Sequence, residues 1–261
     1  VQSASADARI TWNHSPLAEA KEFNNTIRQP MARSDSIPFT FINMAMTADG
    51  KIAPANRQFV PFGSERDHER LLELRATADA VMCGARTVDS YPVNMGPGGE
   101  KYRKQRLKRG LAENNLRIIV TGSGSLNPDA EIFKHTFSPI IILTTERAPK
   151  SRLSKLRSRG AEIKICGETE VDFPEALRWL RKEWNVKRLL CEGGGEVNDA
   201  LFRRHLVNEV YVTLCPCIFG GRNAPTLSDG QGFEKLSDAV QLKLKQMKRI
   251  GDELYLLYEA L

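Results

Sequence analysis

The fold of this chain is decided by one stretch of its sequence, Arg188-Leu189-Leu190-Cys191-Glu192-Gly193-Gly194-Gly195-Glu196-Val197-Asn198-Asp199-Ala200-Leu201-Phe202. A short apolar run ends in three consecutive glycines, and apolar residues at helical spacing follow at once, which predicts a strand, a glycine turn and a helix. Glycine permits positive φ and lets a ligand approach the backbone closely. The N–H groups at the start of the helix favour an anion such as a phosphate. Three glycines are equally compatible with a tight strand–helix turn alone, so the surrounding sequence has to decide.

On both sides of this stretch, short apolar runs alternate with helical patterns. Strands are predicted over residues 39–45, 80–83, 117–120, 140–143, 162–165, 189–191 and 209–214. Ser64 and Asp172 are predicted helix N-caps, the latter in a capping box with Glu175, and a helix is predicted from Pro149 to Gly160. The alternation predicts one α/β domain with a largely parallel central sheet and helices on both faces. Residues 240–247 and 253–259 predict a C-terminal antiparallel hairpin.

The 261 residues are divided into an N-terminal extension, 1–36, and one domain, 37–261. The extension contains a short helical pattern from Leu17 to Ile27 that ends before Pro30. This segment is compatible with packing on the domain, joining a subunit interface or remaining mobile. No repeat or second domain boundary is evident in the remainder, so a single domain is predicted.

The composition is that of a cytoplasmic globular protein. Hydrophobic residues make up 41% and charged residues 27% of the chain, and no apolar stretch approaches the roughly 18–20 residues that span a bilayer. The chain starts with a polar segment that lacks the apolar core of a secretory signal. The cysteine count is odd, at five, and most lie on predicted buried strands, which favours reduced thiols over disulfides. No metal site is predicted, because Cys215-Pro216-Cys217 has neither a CxxC partner nor a nearby histidine.

The net charge of +6 is concentrated in one basic run, formed by Lys101, Arg103, Lys104, Arg106, Lys108 and Arg109. Such a run usually forms a solvated helix or loop. Nucleic-acid binding is not predicted, because no aromatic residues are interleaved with the charges. The expected consequence is a mild attraction for anionic small molecules.

Three segments are expected to meet at the edge formed by the carboxyl ends of the strands, where open α/β sheets bind ligands. They are the turn containing Asp49, the segment from Gly84 to Thr87, and Glu192 with its glycines, and Arg75 is placed to reach the same region. Each has a structural alternative. Asp49-Gly50 is a common turn dipeptide, Thr87 could cap a helix, and Glu192 could be a partly buried acid paired with an arginine. Arg75 could be solvated or salt-bridged.

An ordered set of motifs resembles the reductase domain of riboflavin biosynthesis over about residues 39 to 258. The motifs are Asn43-x-Ala45-x-x-x-Asp49-Gly50-Lys51-Ile52-Ala53, Leu74-Arg75-Ala76-x-x-Asp79-Ala80-Val81-x-x-Gly84-x-x-Thr87-Val88, Glu192-Gly193-Gly194, Leu206-Val207-Asn208-Glu209 and Pro216-x-x-Phe219-Gly220-Gly221. The resemblance implies a dihydrofolate-reductase-like fold, NADPH as cofactor and a homodimer. It also implies reduction of a ribosylamino-pyrimidine 5′-phosphate, from ribosyl to ribityl.

The resemblance also implies roles for individual residues. The implied cofactor-binding residues are Ala45, Gly84, Thr87, Val88, Ser123, Gly193, Gly194, Gly195, Glu196 and Val197. Arg75 and Glu192 occupy substrate-binding positions, and the guanidinium of Arg75 is suited to clamping the phosphate. Glu192 and Asp49 are the catalytic candidates, because a carboxylate near the reacting carbon would stabilise a cationic imine. Arg75→Lys is expected to weaken substrate binding, whereas Glu192→Gln is expected to lower kcat.

Two departures from the family pattern leave the substrate open. The run from Thr87 to Met95 is one residue shorter than in the family and lacks an arginine, and the family's Trp-Ile pair is replaced around Val60-Pro61-Phe62. Both segments touch substrate or cofactor in the family. The alternatives are therefore a reductase of the same fold for another small heterocycle or carbonyl compound, or a non-catalytic nucleotide-binding protein.

Overall fold

A nine-stranded sheet forms the centre of the molecule. The computed structural model describes residues 36–58 and 60–261, so the helical pattern predicted within the N-terminal extension lies outside the described residues. The strands are β1 Phe39–Thr47, β2 Ala80–Gly84, β3 Leu116–Val120, β4 Ile140–Thr144, β5 Ala161–Ile165, β6 Arg188–Cys191, β7 Glu209–Cys215, β8 Leu242–Ile250 and β9 Glu253–Ala260. Their order is β5-β4-β3-β2-β6-β1-β7-β9-β8. All neighbours from β5 to β7 are parallel, whereas β9 runs antiparallel to both β7 and β8.

Helices cover both faces of this sheet. In the described residues they are α1 Glu65–Arg75, α2 Ala85–Ser90, α3 Glu100–Lys108, α4 Lys150–Ser158, α5 Phe173–Glu183 and α6 Gly195–Phe202, with short 3₁₀ turns at Glu131–Lys134 and Leu236–Asp238. In β6, Leu189 and Cys191 join one apolar cluster with residues of α5 and α6, while Leu190 joins a second with residues of α1, α2 and α4. The predicted α/β class, with a largely parallel sheet, helices on both faces and a C-terminal hairpin, is confirmed.

Both predicted helix N-caps, Ser64 and Asp172, are confirmed. The Ser64 hydroxyl accepts from the Asp67 N–H at 3.3 Å, and Asp172 Oδ1 accepts from the Glu175 N–H at 2.9 Å. The second half of the predicted capping box is not observed, because the Glu175 carboxylate accepts from Lys164 Nζ on β5 at 2.6 Å. The Pro149 helix begins one residue later, at Lys150, with Pro149 as its N-cap.

The basic run forms α3, but the expectation of a solvated run is wrong for Arg106. This side chain is fully buried and donates to the carbonyls of Arg75, Ala78 and Ala112. Burial lowers the pKa of its guanidinium. Arg106 therefore satisfies the carbonyl groups around the end of α1, which a pattern of charged residues alone does not indicate. Within the described residues, no helix is both long and apolar enough to cross a bilayer.

The strand order places the glycine segment near the middle of the sheet. Strand β6 is the last parallel strand but one along the chain, yet it lies between β2 and β1. The glycines that follow β6 are therefore flanked by the carboxyl end of β2 on one side and by the middle of β1, at Met44, on the other. This is the position at which a ligand lying along the edge of a parallel sheet would be contacted from both sides.

Candidate active site

The glycine segment forms a tight turn and then exposes its backbone. Gly193 has φ of +80°, and a Cβ there would lie 2.8 Å from Met44 Sδ, so this position requires glycine. The peptide bond that joins it to Gly194 is cis. Gly194 is the N-cap of α6, and its carbonyl accepts from the Val197 and Asn198 N–H groups. A Cβ on Gly194 would meet no atom within 4 Å, so a ligand can approach its backbone.

A cleft of about 920 Å³ runs along this edge of the sheet. Gly84, at the end of β2, and Gly194 and Gly195, at the start of α6, line its central part. Further along, it passes the loop from Thr121 to Ser125 after β3 and reaches Arg147 after β4. The volume lies within the range of about 300–1,000 Å³ that is typical of small-molecule and cofactor sites.

Glu192 lines the cleft and is held by a buried arginine. Arg75 Nε and Nη2 donate to the two Glu192 carboxylate oxygens at 2.6 and 2.7 Å, and Arg75 Nη1 donates to the Gly96 carbonyl at 2.8 Å. The side chains of the pair are only 9% and 13% exposed, in that order. Burial alone would lower the pKa of Arg75, but the charge and the hydrogen bonds of Glu192 outweigh it and raise that pKa. The pair therefore fixes a carboxylate in one orientation at the wall of the cleft.

In this arrangement Arg75 does not line the cleft. It is nine-tenths buried, and its guanidinium is engaged with Glu192 and the Gly96 carbonyl. The structure thus matches the alternative in which Glu192 is a partly buried acid paired with an arginine. The same contacts argue against the expectation that Arg75 clamps a phosphate, and they make it the group that positions Glu192.

Most of the residues that the resemblance implies for the cofactor line the cleft. These are Gly84, Thr87, Ser123, Gly194, Gly195, Glu196 and Val197. The other three lie behind them: Gly193 packs against Met44, Val88 is 3% exposed in the core, and Ala45 lies on β1 next to the lining residue Met44. Thr87 does not cap a helix, because α2 begins at Ala85 with Gly84 as its N-cap. The open backbone at Gly194 and the helix start behind it fit the phosphates of a dinucleotide.

Asp49 is not brought to the cleft. Its carboxylate is exposed, accepts from the Thr47 hydroxyl, and accepts from the Phe219 and Gly220 N–H groups at 3.3 and 2.7 Å. These bonds, that from Thr47 above all, lower its pKa. Strand β1 pairs with β6 only as far as Ile42 but continues beside β7 to Thr47, and five further residues of strand extend about 16 Å. Asp49 therefore ties its turn to the Phe219–Gly220 loop and is absent from the cleft lining, although Ile52 and Ala53, a few residues further on, are part of it.

Sequence reasoning missed several cleft residues, and Arg147 is the most informative of them. The strand over residues 140–143 was predicted, and its carboxyl end lies at the same sheet edge as that of β2. Ligands bind beyond the carboxyl ends of parallel strands, and applying this rule to the loop after β4 would have identified Arg147. In contrast, no sequence signal indicates that Asp229, Gly230 and Gln231 line the cleft, because their loop folds back over α6 from far along the chain.

No metal centre is evident in the part of the chain that the structure describes, since no three histidine, cysteine, aspartate or glutamate side chains are grouped to hold an ion. The five cysteines are free thiols, and four of them are buried. Cys83 lies near the charged pair, and burial followed by the charge of Glu192 raises its pKa well above the ordinary value. This thiol is therefore uncharged beside the pair at neutral pH.

Comparisons with known proteins identify the family of the chain. Residues 38–256 match the RibD C-terminal domain family. A 2,5-diamino-6-ribosylamino-4(3H)-pyrimidinone 5′-phosphate reductase of Methanothermobacter thermautotrophicus is 34% identical over 221 residues, covering 85% of this chain and 97% of that protein. The Aquifex aeolicus reductase of the same name is 32% identical over 227 residues, covering 85% of this chain and 96% of that one.

Solved structures support the fold. A pyrimidine reductase-like protein from Corynebacterium diphtheriae superposes with a TM-score of 0.71 at 21% identity, covering 86% of this chain and 92% of that chain. At this identity the likeness bears on the fold alone, and it confirms the predicted dihydrofolate-reductase-like architecture. The match over residues 38–256, together with relatives above 30% identity along nearly their whole length, confirms the resemblance: the chain belongs to the RibD C-terminal domain family.

Proposed function

We propose that this protein is an NADPH-dependent reductase that converts the ribosyl group of a ribosylamino-pyrimidine 5′-phosphate to a ribityl group in riboflavin biosynthesis. The observation that carries the proposal is a carboxylate, Glu192, fixed by Arg75 at the wall of a cleft whose glycine turn leaves the Gly194 backbone open. The printed names of the two relatives describe reductases of a phosphorylated ribosylaminopyrimidinone. A nicotinamide cofactor would supply the hydride.

The residues of this chain divide the work of binding. Gly194 and Gly195 offer a Cβ-free surface at the start of α6, where backbone N–H groups and the helix dipole favour the cofactor phosphates. Thr87, in α2, and Ser123, after β3, offer hydroxyl groups to the same ligand. Holding the cofactor along the sheet edge places its reactive ring and the substrate carbon together, which is the main contribution of such a site.

Glu192 provides the charge at the reacting end. When the sugar ring of the substrate opens, its anomeric carbon forms a C=N bond to the pyrimidine amine, and hydride addition at that carbon completes the reduction. The Glu192 carboxylate stabilises positive charge on this nitrogen and accepts a hydrogen bond from its N–H group. Arg75 keeps the carboxylate turned toward the cleft. Arg75 is thus a positioning residue. Asp49 has no part in this chemistry, because it does not line the cleft and its oxygens accept from the Phe219 and Gly220 N–H groups.

A matched pair of glycine substitutions tests the cofactor site. Gly194 and Gly99 are both helix N-caps with φ near −70° and extended ψ, and a Cβ at either meets no atom within 4 Å. Gly194→Val should fold, place a branched side chain in the cleft and abolish NADPH binding in calorimetric titration. Gly99→Val should bind as the natural protein does. Unchanged binding by a folded Gly194→Val protein would remove the cofactor assignment.

Turnover tests the reaction itself. NADPH oxidation should accompany conversion of the ribosylamino-pyrimidine 5′-phosphate to its ribityl product, detected by mass spectrometry. NADPH binding without turnover of this substrate would favour a reductase of another heterocycle or a non-catalytic nucleotide-binding protein.

Homodimerisation is proposed through the antiparallel end of the sheet. On one face the register aligns Val212, Leu256 and Met247 across β7, β9 and β8, and it aligns Tyr258 with Leu244 in the next row. Leu256 and Tyr258 pack partly into the core, but Met247 is 63% exposed. Apolar area of this kind favours a second copy of the chain. Sedimentation should give about twice 29.3 kDa, and Met247→Asp should give the monomer mass.

The compartment proposed is the cytoplasm. All five cysteines are free and four are buried, which fits a reducing environment.

A further inference from the structure

We infer that Arg147 recognises the 2′-phosphate of the cofactor's adenosine and so selects NADPH over NADH. This inference rests on the proposed function, in which a dinucleotide lies along the cleft. Arg147 lies in the loop that follows β4 and lines the cleft away from β1. Three strand spacings, about 14 Å, separate β4 from β6. The ligand class assigned to this end is a phosphate monoester on a ribose.

The direction of the cofactor follows from the position of Glu192 and from the space on each side of it. The reactive ring has to lie beside Glu192, so the adenosine half extends away from it. On the side of β1, a loop packs onto the start of α6: the Asp229 N–H donates to the Gly195 carbonyl at 3.0 Å, and a Cβ on Gly195 would meet the Thr226 carbonyl at 2.7 Å. On the other side the cleft continues past the ends of β3 and β4. The adenosine therefore lies over these two strand ends.

On the β3–β4 side of the cleft, Arg147 is the arginine whose charge is left for a ligand. Four other arginines line the cleft, and each has a contact: Arg57 with the Asn223 carbonyl, Arg86 with Glu196, Arg203 with Asp199, and Arg204 with Glu170. Among the described residues, no carboxylate lies within salt-bridge distance of the Arg147 guanidinium. Glu170, the acid lining the same region, faces Arg204 at 3.5 Å. An exposed cation in a cleft attracts an anion rather than a hydroxyl.

The backbone beneath Arg147 is shaped to hold its guanidinium over the cleft. A Cβ on Gly122 would lie 3.0 Å from Arg147 Nη2, so the absence of a side chain leaves room for the guanidinium to lie against the backbone. The Thr145 hydroxyl donates to the Gly122 carbonyl at 2.6 Å, which ties the two loops together. Ser123 follows, with its hydroxyl in the cleft lining. A planar fork of N–H donors and a nearby hydroxyl are suited to phosphate oxygens.

The chemistry of the group explains the choice of cofactor. Where dinucleotide sites select NADH, an acid accepts from the ribose 2′-hydroxyl, and where they select NADPH, an arginine accommodates the 2′-phosphate. The loop after β4 presents Arg147 to the cleft, while the adjacent Glu146 is absent from the lining. The arrangement is therefore that of an NADPH-selective site.

Equilibrium titrations with four probes test the assignment: NADPH, NADH, adenosine 2′,5′-bisphosphate and AMP. Arg147→Gln should weaken NADPH and the bisphosphate by about tenfold to a hundredfold, as expected for a charge-assisted contact. NADH and AMP should change by less than about twofold, because neither carries the 2′-phosphate. Arg147→Lys should fall between, since it keeps the charge without the fork.

Arg152→Gln is the matched control. Arg152 donates to the Ser123 carbonyl at 3.3 Å but lines a neighbouring groove instead of the cleft, so its loss removes the same charge without the proposed contact. Equal weakening of NADPH and NADH by Arg147→Gln, no change in either, or an equal effect of Arg152→Gln would each overturn the inference. Binding selectivity that depends on Arg147 in a protein without reductase turnover would keep the inference and refute the proposed function.

Discussion

Glu192 and Asp49 are both carboxylates that follow a parallel strand, yet the structure gives them opposite surroundings. The side chain of Glu192 is largely buried at the wall of the cleft, and its carboxylate accepts two hydrogen bonds from one buried guanidinium. Asp49 is exposed and receives its bonds from the Thr47 hydroxyl and from backbone N–H groups of a loop. The difference teaches that a position after a strand does not define a site. What defines it is how far that strand extends beside its neighbours.

The largest expected effect comes from removing the partner of the enclosed carboxylate. Arg75→Met should lower the free energy of unfolding by about 3 kcal/mol, because it leaves a buried charge without compensation. Urea denaturation measures this. The double variant Arg75→Met/Glu192→Gln should recover part of the loss, since neither partner then carries a charge.

Arg66→Met is the control for this experiment. Arg66 also forms a two-pronged pair, with Glu73 at 2.8 and 2.9 Å on the same helix, but both side chains are over a third exposed. Its loss should cost less than about 1 kcal/mol. If both arginine variants lost the same free energy of unfolding, burial of the Arg75–Glu192 pair would add nothing to its contribution to stability.

The second prediction concerns catalysis and contrasts the two acids directly. Glu192→Gln keeps the size of the side chain and removes the charge facing the reacting nitrogen, so kcat should fall about a hundredfold. Asp49→Asn should change kcat and KM by no more than about twofold, as for a surface substitution. Steady-state kinetics on the two purified variants decide between them. A large kcat loss in Asp49→Asn would return this residue to the catalytic site.

The architecture could be predicted because buried parallel strands appear in the sequence as short apolar runs. The run over residues 140–143, for example, became β4 with one additional residue. The rule that ligands bind at the carboxyl ends of parallel strands then identified Glu192, Thr87, Gly194 and Gly195 correctly as neighbours in space. It placed Asp49 there wrongly, because strand length relative to β6 depends on register, which no local pattern encodes.

From the sequence, an ion pair was only the structural alternative to substrate-binding roles for Arg75 and Glu192. The two residues are 117 positions apart, and their contact requires β6 to lie next to β2, where α1 covers the sheet. Strand order arises from the packing of whole elements. Arg106 was missed for a similar reason, since its burial depends on the end of α1 lying over it.

The third prediction compares the glycines that follow the two acids. Gly193 and Gly50 have nearly the same φ, +80° and +78°, but a Cβ on Gly193 would lie 2.8 Å from Met44 Sδ, whereas one on Gly50 meets nothing within 4 Å. Gly50→Ala should destabilise the fold by about 1–2 kcal/mol through its backbone conformation alone. Gly193→Ala should cost about 1–3 kcal/mol more, through overpacking. Equal urea midpoints for the Gly193→Ala and Gly50→Ala variants would show that the Met44 side chain moves away at little cost. The turn beside Glu192 would then not be tightly packed.

The smallest effect expected is a pH dependence of stability that belongs to Asp49. The hydrogen bond from Thr47, followed by those from Gly220 and Phe219, holds the pKa of Asp49 below its ordinary value despite some desolvation. The folded protein thus binds this proton less readily than the unfolded chain does. The stabilisation is present above the unfolded pKa of about 3.9, and it is lost as the pH falls through the lower, folded pKa.

Asp49→Asn should therefore lower the urea midpoint at about pH 6, and its difference from the natural protein should shrink as the pH falls below about 4. Thr47→Val, which removes the hydroxyl that contributes most to the lowered pKa, should weaken the same pH dependence. A midpoint difference that stays constant down to about pH 3 would mean that the carboxylate charge is irrelevant to the loop contact. Asp49 would then be a neutral hydrogen-bond acceptor, and its contrast with the charge-bearing Glu192 would become sharper still.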